Sequence, residues 1–376
     1  MKIGIDTFGC NAGISGVGVY LKQILKRIPP SGALFELFGW EYDRYMFKEA
    51  AEKNIEFVGR CKISGETSNL LWHILKYPRF ARERGYDVCF FPAAHRRLPN
   101  KSPCPTIGTV HDMAAYWGTR RTREHLGALL RFVLPDSLRR LDRIIAVSSW
   151  VKQELIDLAR VKESRIDVVP NGVDHEAYFP RPANDESVLR IKPFTFARPY
   201  ILYAARLEHP LKNHIGLIRA FEIFKQRTKL PYRLVFAGSN SKGTKKIKER
   251  AHASPCVSDI FFTGPFPSES LPELVAGADM VVIPSFYEGF GQGAIEAMAS
   301  GVPVACARAA SLPETANHSA LYFDPYDSED MADRMVSLVT DEELTRRCRE
   351  SGLEHAKNFS WERSVERTLR IIQESL

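Results

Sequence analysis

Two carboxylates, Glu288 and Glu296, stand on either side of a glycine-rich run, Gly289-Phe-Gly-Gln-Gly293, with seven residues between them. Ahead of this run, Met280-Val-Val-Ile283 is apolar and stops at Pro284, the pattern of a buried strand; behind it, Ala294 to Ser300 reads as a short helix closed by Gly301. Glycines let backbone N–H groups approach an anion closely, and a helix N-terminus adds partial positive charge, so the junction suits a phosphate. Carboxylates accept hydrogen bonds, and beside an anion site they suit hydroxyl groups, those of a sugar or a ribose. The plainer alternative is an ordinary helix start, with Glu296 expected in the first turn near the positive end of the dipole.

Other residues of the same chemical kind recur at the ends of apolar runs. Tyr200 to Ala205 reads as a strand that delivers Arg206, followed by Glu208 and Leu211-Lys-Asn213. Two fixed cations there would neutralise a diphosphate, Arg206 as a fork and Lys212 as a point charge, although exposed Arg and Lys are commonly just surface. Thr106 to Asp112 ends in His111-Asp112, and in open α/β sheets ligands collect at the carboxyl ends of strands; a histidine held by local hydrogen bonds is the alternative. Near the N-terminus, Gly16 and Gly18 lie where a loop becomes a helix with Val19, Leu21, Ile24, Leu25 and Ile28 as its expected apolar face. That loop fits an anion or merely a tight turn, and without a third glycine it is not a dinucleotide fingerprint. Arg233 to Ser239 and Ile260 to Phe266 are two further strands running into glycine loops at Gly238 and Gly264.

The elements that must position these residues share one rhythm. Short apolar runs, Leu34–Phe38, Asn54–Val58 and Asp87–Phe91, alternate with polar helical segments, as in a parallel βα sheet. Asp142 to Ser149 gives another strand before a helix from Trp150 to Leu158, which Ser148 or Ser149 would cap, and Asp167 to Asp174 closes a first domain with a turn at Asn171-Gly172. Residues 179–198, rich in proline and without a clear period, read as a linker. At 376 residues and 44% apolar content the chain is long enough for two domains.

Composition excludes several classes. No run of about eighteen apolar residues is present, so no spanning helix is expected, and with an N-terminus that begins at once with a strand pattern and no secretion signal, a cytoplasmic location is the expectation. The seven cysteines are scattered, odd in number and never spaced as C-x-x-C, which argues against a disulfide framework and a zinc site. No Asp-x-Asp pair occurs, so the sequence requires no metal. The net charge of +7 lies in the first half: residues 1–190 hold 29 Lys/Arg against 22 Asp/Glu, and residues 191–376 hold 23 of each. An acidic partner is expected there.

The run Tyr287-Glu-Gly-Phe-Gly291, with Glu296-Ala-Met-Ala-Ser-Gly-Val-Pro-Val304 behind it, resembles the signature of glycosyltransferase family 4, the retaining GT-B enzymes. Val147-Ser148 and Pro170-Asn-Gly-Val-Asp174 match further landmarks, and the resemblance spans nearly the whole chain. It implies an α/β fold of two doubly wound Rossmann-like domains facing a central cleft. The first, 1–185, would be on the acceptor side and joined by a C-terminal helix, 360–376; the second, 199–359, would bind the nucleotide sugar. It implies transfer of a hexose from a nucleotide diphosphate sugar to an acceptor hydroxyl with retained configuration and no cofactor. Arg206 and Lys212 would clamp the pyrophosphate, with the Gly289, Phe290 and Gly291 loop beside it. Glu288 would orient the donor sugar, and Glu296 would hold the ribose. Gly238 and Gly264 would lie near the nucleotide, the second beside the base; Gly16 would meet the donor phosphate. His111 would act near the reacting carbon through its backbone carbonyl or ring. The form Ser285-Phe-Tyr-Glu-Gly-Phe-Gly291 resembles mannosyltransferases using GDP-mannose, with a UDP-sugar as the alternative.

Rival readings are a phosphorylase or an epimerase of the same architecture, although a phosphorylase needs a cofactor lysine site not located here, and a non-catalytic nucleotide-sugar binder, which would leave His111 and Lys212 idle. Seven arginines within 120–143, interleaved with leucines, mark an interfacial helix facing anionic lipid or an acidic acceptor. No nucleic-acid module accompanies them. The other account has them paired with Glu124, Asp136 and Asp142. The segment from Leu70 to Arg84, rich in aromatics and arginine, fits a core-facing helix or a membrane surface equally. The implied setting is cell-surface polysaccharide synthesis on a lipid-linked or glycan acceptor, peripheral to the inner face of the membrane.

Overall fold

The structure is a computed structural model describing the chain apart from residues 11–14, 30–31, 54, 61–70, 96–97, 115–133, 182–187 and 192. The chain divides into two compact units, Met1–Gly172 together with Trp361–Leu376, and Val173–Ser360.

In the first unit, β1 (Lys2–Asp6), β2 (Leu34–Trp40), β3 (Glu56–Arg60), β4 (Val88–Phe91), β5 (Thr106–Val110), β6 (Arg143–Ala146) and β7 (Ile166–Val168) form one sheet in the order 3-2-1-4-5-6-7. Every pairing in it is parallel. Strands covered on both faces are buried along their whole length, as Val88–Phe91 and Thr106–Val110 are. Helix α1 (Gly16–Arg27) covers the sheet with Val17, Tyr20, Leu21, Ile24 and Leu25, the i, i+3, i+4, i+7 stripe. Val19, expected on that face, is 41% exposed, because its spacing from Leu21 and Ile24 turns it outward. The C-terminal helix, Trp361–Glu374, adds Val365, Ile371 and Ile372 to the same core. Arg27 Nε donates to Glu362 at 2.6 Å, and Arg367 to the Val168 carbonyl at 2.8 Å.

The described part of the 70–84 segment agrees with the core-facing reading at Trp72, His73, Tyr77 and Phe80, which are buried, whereas Leu71 and Leu75 face solvent. Helix α2 (Ser149–Asp157) is capped by Ser148, whose hydroxyl accepts from Val151 N.

The second unit repeats the plan. Strands β10 (Tyr200–Ala204), β11 (Arg233–Ala237), β12 (Ile260–Phe262), β13 (Met280–Ile283), β14 (Val304–Ala307) and β15 (Ala320–Phe323) run in the order 12-11-10-13-14-15, all parallel. The strand order reverses between β10 and β13, and such a switch point is where sheets of this kind bind ligands. Helix α3 (His214–Thr228) buries Leu217, Ile218, Phe221 and Phe224 against the sheet, and α4 (Gln292–Ala299) comes after β13.

Two sequence expectations need correction. The described stretch 173–181, assigned to the first domain, belongs to the second unit: Val173 bridges to Ser360, and Tyr178 hydrogen-bonds Glu296. The supposed linker contains an antiparallel hairpin, β8 (Val188–Ile191) with β9 (Phe194–Ala197).

Candidate active site

The carboxyl ends of β10 and β13 lie side by side, and the residues just beyond them converge on one carboxylate. Tyr203, buried in the sheet, donates its hydroxyl proton to Ser285 Oγ at 2.7 Å, with the Lys212 carbonyl 3.1 Å from the same hydroxyl. Phe286 N donates to the Leu211 carbonyl at 3.0 Å, so the loop after β10 is tied to the loop after β13 through its backbone. On this frame Lys212 Nζ reaches Glu288 Oε1 at 2.6 Å, and Ser285 Oγ donates to the same oxygen at 2.7 Å. Both partners of the ion pair keep some exposure, 17% and 19% of their side-chain surface, so the pair is reached by solvent rather than sealed in the core.

The glycine run beyond Glu288 is held from outside. Ser311 Oγ donates to the Glu288 carbonyl at 2.8 Å, and Thr315 Oγ1 donates to the Phe290 carbonyl. With two carbonyls of the loop engaged by hydroxyls, its conformation is fixed ahead of α4. Gly291, the residue before α4, has φ +91°, and no side chain caps the helix there. A phosphate at such an end meets backbone N–H groups and the positive end of the helix dipole. Phe290 is buried against Phe359, ring centroids 5.8 Å apart.

Glu296 lies one turn deeper than expected: α4 begins at Gln292, two residues before the predicted start, and Glu296 falls in its second turn. The side chain is half-buried, hydrogen-bonded to Tyr178 and Gln292, and burial raises its carboxyl to about 7. Burial likewise holds the Tyr178 hydroxyl well above the usual phenol range, so Tyr178 is the donor to Glu296.

Arg206 does not join the Lys212–Glu288 pair. Its guanidinium bonds Glu208 at 3.2 Å and is 60% exposed. Gly238 has a demand of its own: a Cβ there would stand 2.2 Å from the Ala205 carbonyl oxygen, so the β11 loop comes against the β10 loop only as glycine. Gly238 N donates to Thr263 Oγ1 at 3.2 Å, which in turn donates to the Gly264 carbonyl at 2.8 Å, linking the two glycine loops. Gly264 has φ +66° and open space where a side chain would be.

In the first unit, Gly16 opens α1 beside its cap Ser15, whose hydroxyl accepts from Gly18 N at 3.2 Å and donates to the Cys10 carbonyl at 3.1 Å. Among the described residues nothing lies within 4 Å of a Cβ built on Gly16. His111 comes directly after the last residue of β5. Its Nε2 bonds the Pro92 carbonyl at 2.9 Å, and its ring sits edge-on to Tyr20, centroids 4.7 Å apart. A carbonyl partner means that Nε2 carries the proton. Asp112 accepts from Ala114 N at 3.1 Å.

Sequence reasoning missed Tyr203, Ser311, Thr315 and Tyr178. Nothing in the sequence linked Tyr178 to Glu296. Among the described residues no group of three or more His, Cys, Asp or Glu side chains is placed to hold a metal ion. Of the arginines in 120–143, Arg120, Arg121, Arg123 and Arg131 lie outside the described residues, as does Glu124. The others are paired: Arg139 and Arg140 with Asp136, and Arg143 with Asp167. Asp142, expected to join them, instead accepts from Thr106 N at 2.8 Å.

The chain has relatives among known proteins. Residues 14–177 match the model described as "Glycosyltransferase Family 4", and residues 190–355 that described as "Glycosyl transferases group 1". The chain is 30% identical to O-antigen chain mannosyltransferase B of Escherichia coli, over 98% of each chain. It is 28% identical to mannosylfructose-phosphate synthase of Agrobacterium fabrum, over 96% of this chain and 87% of the other. Among solved structures, sucrose-phosphate synthase from Thermosynechococcus elongatus superposes with a TM-score of 0.76 at 16% identity, covering 100% of this chain and 98% of the other. Anabaena HepE in complex with UDP and glucose gives 0.75 at 20% identity, covering 100% of both.

Proposed function

Because the chain belongs to glycosyltransferase family 4 and is a glycosyltransferase of GT-B fold, we propose that it transfers a hexose, mannose in the first place, from a nucleotide diphosphate sugar to a glycan or lipid-linked acceptor, with retained anomeric configuration. The observation that carries the reading is the Lys212–Glu288 pair, 2.6 Å long, set before the glycine loop and N-terminus of α4. Breaking the bond from the anomeric carbon to the diphosphate leaves negative charge on the leaving group and positive charge on the sugar ring. Preorganised charges that meet those two centres lower the barrier.

Lys212 then turns its ammonium from Glu288 toward the leaving diphosphate, assisted by the backbone N–H groups of Gly289 to Gly291, and Arg206 leaves Glu208 to do the same. Glu288, still held by Ser285, accepts hydrogen bonds from the donor sugar's hydroxyls. Glu296, positioned by Tyr178, accepts from the ribose, and the Gly238 and Gly264 loops leave room for the nucleotide. For Gly16 and His111, of the first unit, the proposed roles are those the resemblance implied. The His111 ring nitrogen Nε2 is already engaged by Pro92, which favours its backbone carbonyl as the group that acts. No cofactor enters the proposed reaction.

Mannose is favoured by the likeness to the Escherichia coli O-antigen mannosyltransferase across the full chain. That likeness also supports a place in cell-surface polysaccharide synthesis. Thermal-shift titration tests the donor, since a ligand that binds only the native state raises its stability. GDP and GDP-mannose should raise the melting temperature; stabilisation by UDP with GDP inert would assign the donor to the UDP-sugars instead.

A further inference from the structure

The first unit holds a pair of thiols that the transfer reaction does not use. Cys89 lies in β4 with no exposed surface, and Cys104 stands in the segment leading into β5, fifteen residues later. The parallel pairing of β4 with β5, which sets Cys89 beside Thr106, brings the two sulfurs to 3.7 Å. No sequence motif announces this, because the contact is made across the sheet. Cys104 is half-exposed and lines a polar cavity of about 380 Å³ together with Lys101, Ser102, Arg140 and Asp142. Ser102 Oγ lies 3.6 Å from Cys104 Sγ and 3.1 Å from the Tyr77 hydroxyl, so hydroxyl donors line one side of the sulfur.

We propose that Cys104 and Cys89 form a peroxide-reactive dithiol, in which Cys104 attacks and Cys89 resolves the product to a disulfide. The two sulfurs have opposite environments. The Cys89 S–H beside it, with Ser102 and Tyr77, holds the Cys104 thiol down at about 7, whereas burial pushes Cys89 well above the usual thiol range. A thiolate facing an open cavity is the nucleophile, and the buried protonated thiol is its partner. With hydrogen peroxide as oxidant, the Cys104 sulfur forms a bond to one peroxide oxygen as the O–O bond breaks. The departing hydroxide takes a proton and leaves as water; the peroxide is reduced and Cys104 becomes a sulfenic acid. The Cys89 sulfur then attacks the Cys104 sulfur, the S–O bond breaks, and hydroxide leaves with the Cys89 proton as a second water. Forming the bond closes the sulfur separation from 3.7 Å to about 2.05 Å.

The test uses the full-length reduced protein treated with hydrogen peroxide, then thiol counting and peptide mass mapping. The expected product is a Cys89–Cys104 cross-linked peptide, two hydrogens lighter than its parts and restored by reductant. Cys256, half-exposed but with its thiol raised by burial, serves as the internal control and should react at least about tenfold more slowly. In Cys89→Ser the reaction should stop at a sulfenic acid on Cys104, trapped by dimedone; in Cys104→Ser, Cys89 should stay reduced. Persistence of both thiols while Cys256 oxidises would overturn the proposal, as would oxidation of Cys89 at an undiminished rate in Cys104→Ser. Should Cys89→Ser fail to fold, the wild-type peptide map and Cys104→Ser still decide.

Discussion

Glu288 Oε1 receives two donors, Lys212 and Ser285, and that convergence sets what single substitutions should do. If Lys212 stabilises the leaving diphosphate as one preorganised donor does, Lys212→Ala should lower kcat by about 10²–10³, roughly 2.7–4 kcal/mol of transition-state stabilisation. Steady-state kinetics with wild type and variant checks this; a kcat within about threefold of wild type would remove Lys212 from the chemistry. Glu296 makes a separate prediction through stability. Its carboxyl titrates near 4.5 when unfolded and is raised to about 7 by burial in the fold. Between those values the native state binds more protons than the unfolded state, so this group's contribution to stability falls as pH rises through the window. Glu296→Gln, which still accepts from Tyr178, should therefore gain in melting temperature relative to wild type from about pH 4.5 to 7. A constant difference across that range would contradict the assignment. Glu288 and Glu296 were readable from the sequence because both flank one local glycine run; Tyr178 was not, because its hydrogen bond to Glu296 is a tertiary contact without any local pattern.

Among elements, the glycine loops after β11 and β13 carry steric demands at Gly238 and Gly291. Gly291 has φ +91°, a region that costs an L-residue about 1–2 kcal/mol, and a Cβ there would also stand 2.9 Å from Leu312 Cδ2. Gly291→Ala should thus lower stability by about that amount in chemical denaturation, and weaken nucleotide binding by displacing the start of α4. Wild-type stability and affinity together would refute the role given to this loop. The strand, glycine loop and helix order was legible here, since the apolar run and the glycines are sequential signals. The start of α4 was not: Gln292 and Gly293 give no apolar signal, and the helix is fixed by tertiary hydrogen bonds from Ser311 and Thr315 to the loop before it. In α1 the same limit shows at Val19, which an apolar count placed inward and the helical phase turns outward. The clamp of Arg206 with Lys212 was read from their shared position after β10, but side-chain direction is set by neighbours, and Arg206 points to Glu208.

For the whole molecule, the alternation of strand and helix foretold two parallel sheets, while the boundary between the units escaped it. The Pro-Asn-Gly-Val-Asp run reads as a turn, and tertiary contacts, Val173 to Ser360 and Tyr178 to Glu296, assign residues 173–181 to the second unit. Among the described residues no helix is long and apolar enough to cross a membrane. The proposed membrane association therefore rests on the basic stretch, and arginines near anionic lipid contribute about 1 kcal/mol each. Binding to anionic vesicles at low salt should exceed binding to neutral ones and be lost when Arg120, Arg121 and Arg123 are all changed to Glu. Equal binding to both vesicle types would favour the ion pairs seen at Arg139, Arg140 and Arg143 as the stretch's whole role. The central claim, sugar transfer at the Lys212–Glu288 pair, is tested most directly by incubating the purified protein with a panel of nucleotide sugars and measuring free nucleotide. The account predicts slow release of GDP from GDP-mannose that falls by about 10²-fold or more in Lys212→Ala; no turnover of any nucleotide sugar, or turnover unchanged in that variant, would contradict it.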